Sequence, residues 1–237
     1  MPEPRTFRQI RYIVPPGATE LLLVRHGESE PAVDGIAFEL AAGHGDPPLS
    51  AEGREQAALV CQRLATSGID AVYTSTLRRT HQTAAPLLDA LGLSSITDPD
   101  LREVFLGDWE GGLYRKKVAE RDPVALQMLA EERFDVIPGA EPAAMFSQRV
   151  RSVIERIAAA HPDQRVAVFA HGGVIGQALA LATGSRPFAF VGADNASISH
   201  LVVSKEHWAL RRFNDTAHLE RARADGEPPA GQQAGTV

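Results

Sequence analysis

Two short apolar runs restrict the fold of this 237-residue chain more than any other feature. LLLV (21–24) runs into Arg25, His26 and Gly27, and RVAVFA (165–170) runs into His171, Gly172 and Gly173. Each reads as a buried strand that gives up its apolar character in one step. In open α/β sheets, ligands bind beyond the carboxyl ends of the strands. His26 and His171 therefore both fall where a site belongs. Gly27, Gly172 and Gly173 carry no side chain, so backbone N–H groups can approach a ligand there. Both segments lead toward helices, whose free N–H groups favour anions. Arg25 adds a planar fork suited to phosphate or carboxylate. A lone histidine is more often a satisfied structural group than a catalyst, but two in matched strand-end positions point to function.

The rest of the chain alternates in the same style. Ser50 caps a helix, SAEGREQAALVCQRLATSG, that Gly68 stops. DAVYTS (70–75) reads as a strand and LRRTHQTAAPLLDALG (77–92) as a helix. A long amphipathic helix follows over 140–162, then the strand 165–170 and a helix over 173–184. The segments 197–204 and 207–213 read as two arms of a hairpin. This order predicts an α/β fold: a three-layer α/β/α sandwich around a mainly parallel sheet. Residues 1–18 form an N-terminal extension, 19–220 the catalytic domain, and 221–237 a tail expected to be disordered. The stretch 112–138 breaks the alternation and reads as short helices plus a loop. It is either a small helical cap or a decoration of the core.

Composition excludes several function classes. The net charge of −6 argues against non-specific nucleic-acid binding. Of 24 basic residues only Lys116, Lys117 and Lys205 are lysines, so one arginine alone says little. The single cysteine, Cys61, sits in a helical apolar pattern and reads as a buried, reduced thiol. No apolar run approaches the ~20 residues of a membrane span. The N-terminus lacks the apolar core of a signal peptide, so a cytoplasmic protein is expected. No metal-ligand spacing such as H-E-x-x-H occurs, and neither a metal nor a cofactor is expected.

Two further clusters carry chemistry. In VYTSTLRRTHQTA (72–84), Arg78 and Arg79 open a helix whose dipole prefers acids there. An anion at that terminus would explain them, and a solvated pair would explain at least one. In LREVFLGDWEG (101–111), Glu103 lies between apolar residues, as a functional acid or a surface carboxylate.

RHGES at 25–29, PLSAEGREQA at 48–57, TSTLRRTHQTA at 74–84, LREVFLGDWEG at 101–111 and AHGGVIG at 170–176 together resemble the histidine phosphatase superfamily, of phosphoglycerate-mutase-like fold. The resemblance spans roughly 20–220 and is nearer the broad-specificity phosphatase branch. It implies His26 as the nucleophile that becomes phosphohistidine, with Arg25, Arg79 and His171 on the phosphoryl oxygens. It selects Arg79 over Arg78 for that contact and leaves Arg78 a substrate-binding role. Glu103 would protonate the leaving oxygen, and Glu141, in PGAE, would help organise the pocket. Gly27, Ser29, Gly172 and Trp109 are further substrate-binding candidates. Phe38, Phe105, Tyr114 and Met128 join Trp109 as candidates for the leaving-group side. One departure stands out: a family asparagine that contacts phosphate is Ala32 here. Ser29 or a residue of AAGHGD (41–46) is the expected replacement.

The activity so implied is hydrolysis of small phosphorylated metabolites. A cofactor-dependent phosphoglycerate mutase is the alternative, and would need a second anion site, for which Arg115, Lys116 and Lys117 are candidates if they are not a solvated charge run. A non-catalytic phosphate-binding module is a third reading. HGGVIG (171–176) falls short of a dinucleotide fingerprint because His171 stands where its first glycine belongs. His44 and His218 are expected to be structural, and the hairpin edge at 197–213 is a candidate homodimer surface.

Overall fold

The structure, a computed structural model, describes residues 6–224. Residues 6–14 have no regular structure. The chain then forms β1 (Thr19–Arg25), β2 (Leu40–Ala41), β3 (His44–Gly45), α1 (Ala51–Leu64), β4 (Ala71–Thr74), α2 (Arg78–Leu91) and β5 (Ser95–Thr97). It continues through α3 (Leu113–Ala119), α4 (Pro123–Glu131), α5 (Ala143–Ala160), β6 (Arg165–Ala170), α6 (Gly172–Thr183), β7 (Ile198–Val203), β8 (Trp208–Asp215) and α7 (Ala217–Ala224).

Six strands form one sheet in the order β5-β4-β6-β1-β7-β8. β1, β4, β5 and β6 run parallel, while β7 and β8 close one side antiparallel. Side chains of β1 alternate between the faces, as strand geometry requires. Leu21 and Leu23 pack with Val150, Ile154 and Ile157 of α5 and Ile175 and Leu179 of α6. Leu22 and Val24 pack with Val60 of α1, Leu87 of α2 and Leu219 of α7. Both faces are thus covered, which makes three layers and explains the continuous apolar runs 21–24 of β1 and 166–170 of β6.

Several boundaries differ from expectation. Ser50 does cap α1, its Oγ accepting from Gly53 N–H at 3.1 Å, but the helix ends at Leu64, a turn before Gly68. Ser67 N–H bonds back to Leu64 O there, closing a turn in place of another helical residue. β5 and the β2–β3 pair are absent from the sequence reading, being too short to show a period. α7 runs to Ala224, so residues 221–224 are helical; the rest of the tail expected to be disordered lies outside the described residues. Cys61 is half-buried, with its thiol donating to Pro86 O. No helix among the described residues is long and apolar enough to cross a membrane.

Candidate active site

β1 and β6 are neighbours in register, Arg25 opposite Ala170, so the next residues of both strands emerge together. They are His26 and His171, whose ring centroids lie 5.1 Å apart. Both are buried, at 6% and 0% exposure. His26 Nδ1–H donates to Gly27 O at 2.7 Å, which leaves the Nε2 lone pair free. Burial, and then the charges of Arg79 and Arg25, hold the His26 pKa well below the ordinary imidazole value. The ring is therefore neutral and nucleophilic at neutral pH.

His171 is oriented from behind. Its Nε2 lies 2.8 Å from Ser75 Oγ. Ser75 Oγ accepts from Leu77 N–H, and Thr80 Oγ1 donates to Leu77 O. Ser75 Oγ also lies 3.1 Å from Thr80 Oγ1, so its single proton has two acceptors, and His171 Nε2 either accepts it or donates to Ser75 Oγ. His171 Nδ1 is buried and has no protein partner. Burial, Arg79 and His26 hold His171 neutral as well.

Gly27 has a different task from the one its sequence suggested. Its N–H is taken by Thr83 Oγ1 at 3.0 Å, so it is not offered to a ligand. A Cβ there would lie 2.5 Å from Gly53 O, and one on Gly53 would lie 1.9 Å from Glu28 O. The two glycines let the first turn of α1 press against the segment carrying His26. Gly53→Ala is expected to cost about 3 kcal/mol, the upper end for overpacking a core. The midpoint should fall by roughly 10 °C in a thermal melt.

The arginines separate cleanly. Arg25 donates from Nη1 to Ala193 O, and its buried Nε has no partner. Arg79 donates from Nη1 to Gly45 O at 2.9 Å, and burial pushes its pKa down to about 10. Arg78 is a correction. Its backbone N–H and Nε bond Asp46, its Nη2 bonds Glu39, and it does not line the cavity. The anion at that helix terminus is the protein's own carboxylate. Glu103 lines the cavity, its Oε2 accepting from Gly173 N–H at 3.1 Å. A Cβ on Gly173 would stand 2.5 Å from Glu103 Oε1, so this glycine makes room for the acid.

His26, Arg25, Arg79 and Glu103 line one cavity of about 280 Å³ with Gly172, Trp109, Phe38, Tyr114, Arg115 and His44, while His171 is off the lining, fully buried beside His26. Burial, with Glu103 nearby, pushes the Tyr114 phenol up to about 12, so it stays a hydrogen-bond donor. Other candidates lie elsewhere. Ser29 is off the lining and accepts from Arg115 Nη2. Phe105 is off the lining too and packs edge-on against His44. Met128, 1% exposed, belongs to the core. His218 bonds Ala196 O away from the cavity. Lys116 and Lys117 pair with Asp34 and Asp122 and leave Arg115 alone of the basic run in the cavity. No cluster of metal-ligating side chains exists among the described residues.

Two positioning residues had no sequence signal. Arg149 of α5 binds Glu141 at 2.6 and 2.9 Å and donates to the carbonyls of Asp100 and Arg102, fixing the 3-10 turn (Pro99–Leu101) before Glu103. Glu110 accepts from Gly45 N–H at 2.7 Å, so one residue, Gly45, joins it to Arg79.

Comparison with known proteins agrees with this arrangement. The chain is 32% identical over 213 residues to the probable phosphoglycerate mutase GpmB of Yersinia enterocolitica, covering 87% of this chain and 97% of that one. It is 32% identical over 204 residues to phosphoserine phosphatase 1 of Hydrogenobacter thermophilus, covering 84% and 94%. The structure of a mycobacterial glucosyl-3-phosphoglycerate phosphatase superposes with a TM-score of 0.69 at 27% identity, covering 84% and 100%. The family model for branch 1 of the histidine phosphatase superfamily matches residues 21–216, which include both imidazoles, the arginines and the acid, and the chain belongs to that superfamily.

Proposed function

We propose that this chain is a phosphomonoesterase that works through a phosphohistidine on His26. The observation that carries the reading is the facing pair of neutral imidazoles, one with a free Nε2 and the other with an unpartnered Nδ1. In the first step His26 Nε2 attacks phosphorus and the bond to the leaving oxygen breaks. Glu103, entering as the carboxylic acid, gives that oxygen its proton, and an alcohol departs. In the second step the Glu103 carboxylate takes a proton from water. The water oxygen attacks phosphorus, the P–N bond breaks, and inorganic phosphate leaves. Arg25, Arg79, His171 and the start of α6 hold the non-bridging oxygens. Phosphoryl transfer needs chiefly this positioning and charge neutralisation.

Relatives named as phosphatases support hydrolysis, and a relative named as a mutase keeps isomerisation as the second reading. Against the mutase, Lys116 and Lys117 are engaged by carboxylates outside the cavity. The deciding experiment is a panel of phosphate esters assayed for both free phosphate and isomerised phosphoglycerate. Free phosphate from several esters is expected. Isomerisation outpacing hydrolysis would overturn the reading.

The pH profile gives a second test. His26 attacks only when neutral, and its pKa lies well below 6.5 in the folded protein. The acid limb of kcat/KM for an aryl phosphate should therefore fall below pH 6.5, where protonation of His26 removes the lone pair. The same shift acts on stability. Below about pH 6.5 the unfolded chain binds protons that buried His26 and His171 refuse, so stability should decline as pH falls through that value.

A further inference from the structure

We propose that Arg115 is a further catalytic residue: its guanidinium completes the cradle from the α3 side and grips the same tetrahedral dianion as Arg25 and Arg79. This rests on the reading of the cavity as a phosphate site.

Arg115 lines the cavity that holds His26, Arg25 and Arg79. The residue as a whole is exposed, at the mouth of the cavity, and its charge acts on both His26 and Arg79. Its own pKa is lowered by burial and then by Arg25, opposed by Glu28. Three guanidinium groups thus converge on one small space. Among the described residues neither Arg25 nor Arg115 makes an ion pair, and the carboxylate nearest Arg79, Asp46 at 3.9 Å, is held by both N–H donors of Arg78. Glu103 and Glu110 line the same cavity and offset part of this positive charge, and an entering anion would offset the rest.

The side chain is held ready for that anion. Nη1 donates to Glu30 O at 2.8 Å and Nη2 to Ser29 Oγ at 2.7 Å. The guanidinium carbon sits 5.2 Å from the centre of the Phe38 ring. Two of the five N–H donors of an arginine are so engaged, and three remain. Gly112 lines the cavity and Ala32 stands behind it, off the lining: a Cβ on Gly112 would lie 3.3 Å from the Ala32 Cβ. No polar side chain at position 32 competes for the space, and the contact falls to the cap.

Calorimetric titration with inorganic phosphate tests the assignment directly, alongside kinetics on an aryl phosphate with no charge beyond its phosphoryl group and on a carboxylate-bearing ester. Arg115→Met keeps the packing on Phe38 and removes the fork. It should weaken phosphate binding about 10- to 100-fold, the scale of a charge-assisted hydrogen bond, and lower kcat/KM for both esters alike. Lys116→Ala, facing Asp34 outside the cavity, should leave both quantities unchanged. Phosphate affinity within twofold of wild type in Arg115→Met overturns the proposal. So does a loss confined to the carboxylated ester, which would assign Arg115 to the leaving group. Should Arg115→Met fail to fold, Arg115→Lys decides: a drop of roughly 3- to 10-fold in phosphate affinity supports the fork, and unaltered affinity rejects it. If the wild type binds phosphate but hydrolyses no ester, the hydrolase reading fails while the titration still judges Arg115.

Discussion

His26→Ala should abolish turnover of every phosphate ester, by at least about 10⁴-fold, while leaving inorganic phosphate binding measurable. The two effects separate because the nucleophile and the cradle are different atoms. Removing the imbalance of a single lone pair, on His26 Nε2, ends covalent chemistry. Arg25, Arg79 and His171 come from other positions and keep their own supports, Ala193 O, Gly45 O and Ser75 Oγ. Wild-type protein quenched in alkali during turnover should carry phosphate on His26, read by peptide mass, and the variant should carry none. Trapped phosphate on His171, or a tenth of wild-type activity in the variant, would reverse the assignment of the two imidazoles.

Glu103→Gln should divide substrates by their leaving groups. An alkoxide needs a proton as it departs, and general-acid catalysis commonly contributes ~10²–10⁴-fold. A phenolate of low pKa departs without one. Alkyl phosphates should therefore lose about 10³-fold and activated aryl phosphates less than about tenfold. The amide keeps the size of the carboxylate but can accept from only one of Gly173 N–H and Val104 N–H, so the aryl phosphates serve as the control for that lost contact. Equal losses across both classes would remove Glu103 from the acid role.

The sheet was legible because burial on both faces leaves apolar runs that are hard to mistake, as in β1 and β6. The strand-end grammar brought His26 and His171 to notice for the same reason: polarity changes abruptly where a strand leaves the core. What stayed hidden depends on contacts distant in sequence. Gly27 looked like a ligand-facing glycine because nothing nearby reveals Gly53. Arg78 looked like an anion binder because its anions, Asp46 and Glu39, lie in a loop folded back onto α2. β2 and β3 have two residues each and exist through Gly45, which bonds Glu110 and Arg79. Arg115 was grouped with Lys116 and Lys117, although consecutive helical residues point about 100° apart. That turn sends one into the cavity and the others to the surface.

The adjacency of β1 and β6 has a consequence for how this protein comes into being. Arg25 and Ala170 pair across the middle of the sheet although most of the chain separates them. On the ribosome, the first imidazole emerges early and waits beside nothing. If the two rings hold a phosphoryl group as proposed, no partial product of translation can do so, and the chain gains its chemistry only when β6 slots in next to β1.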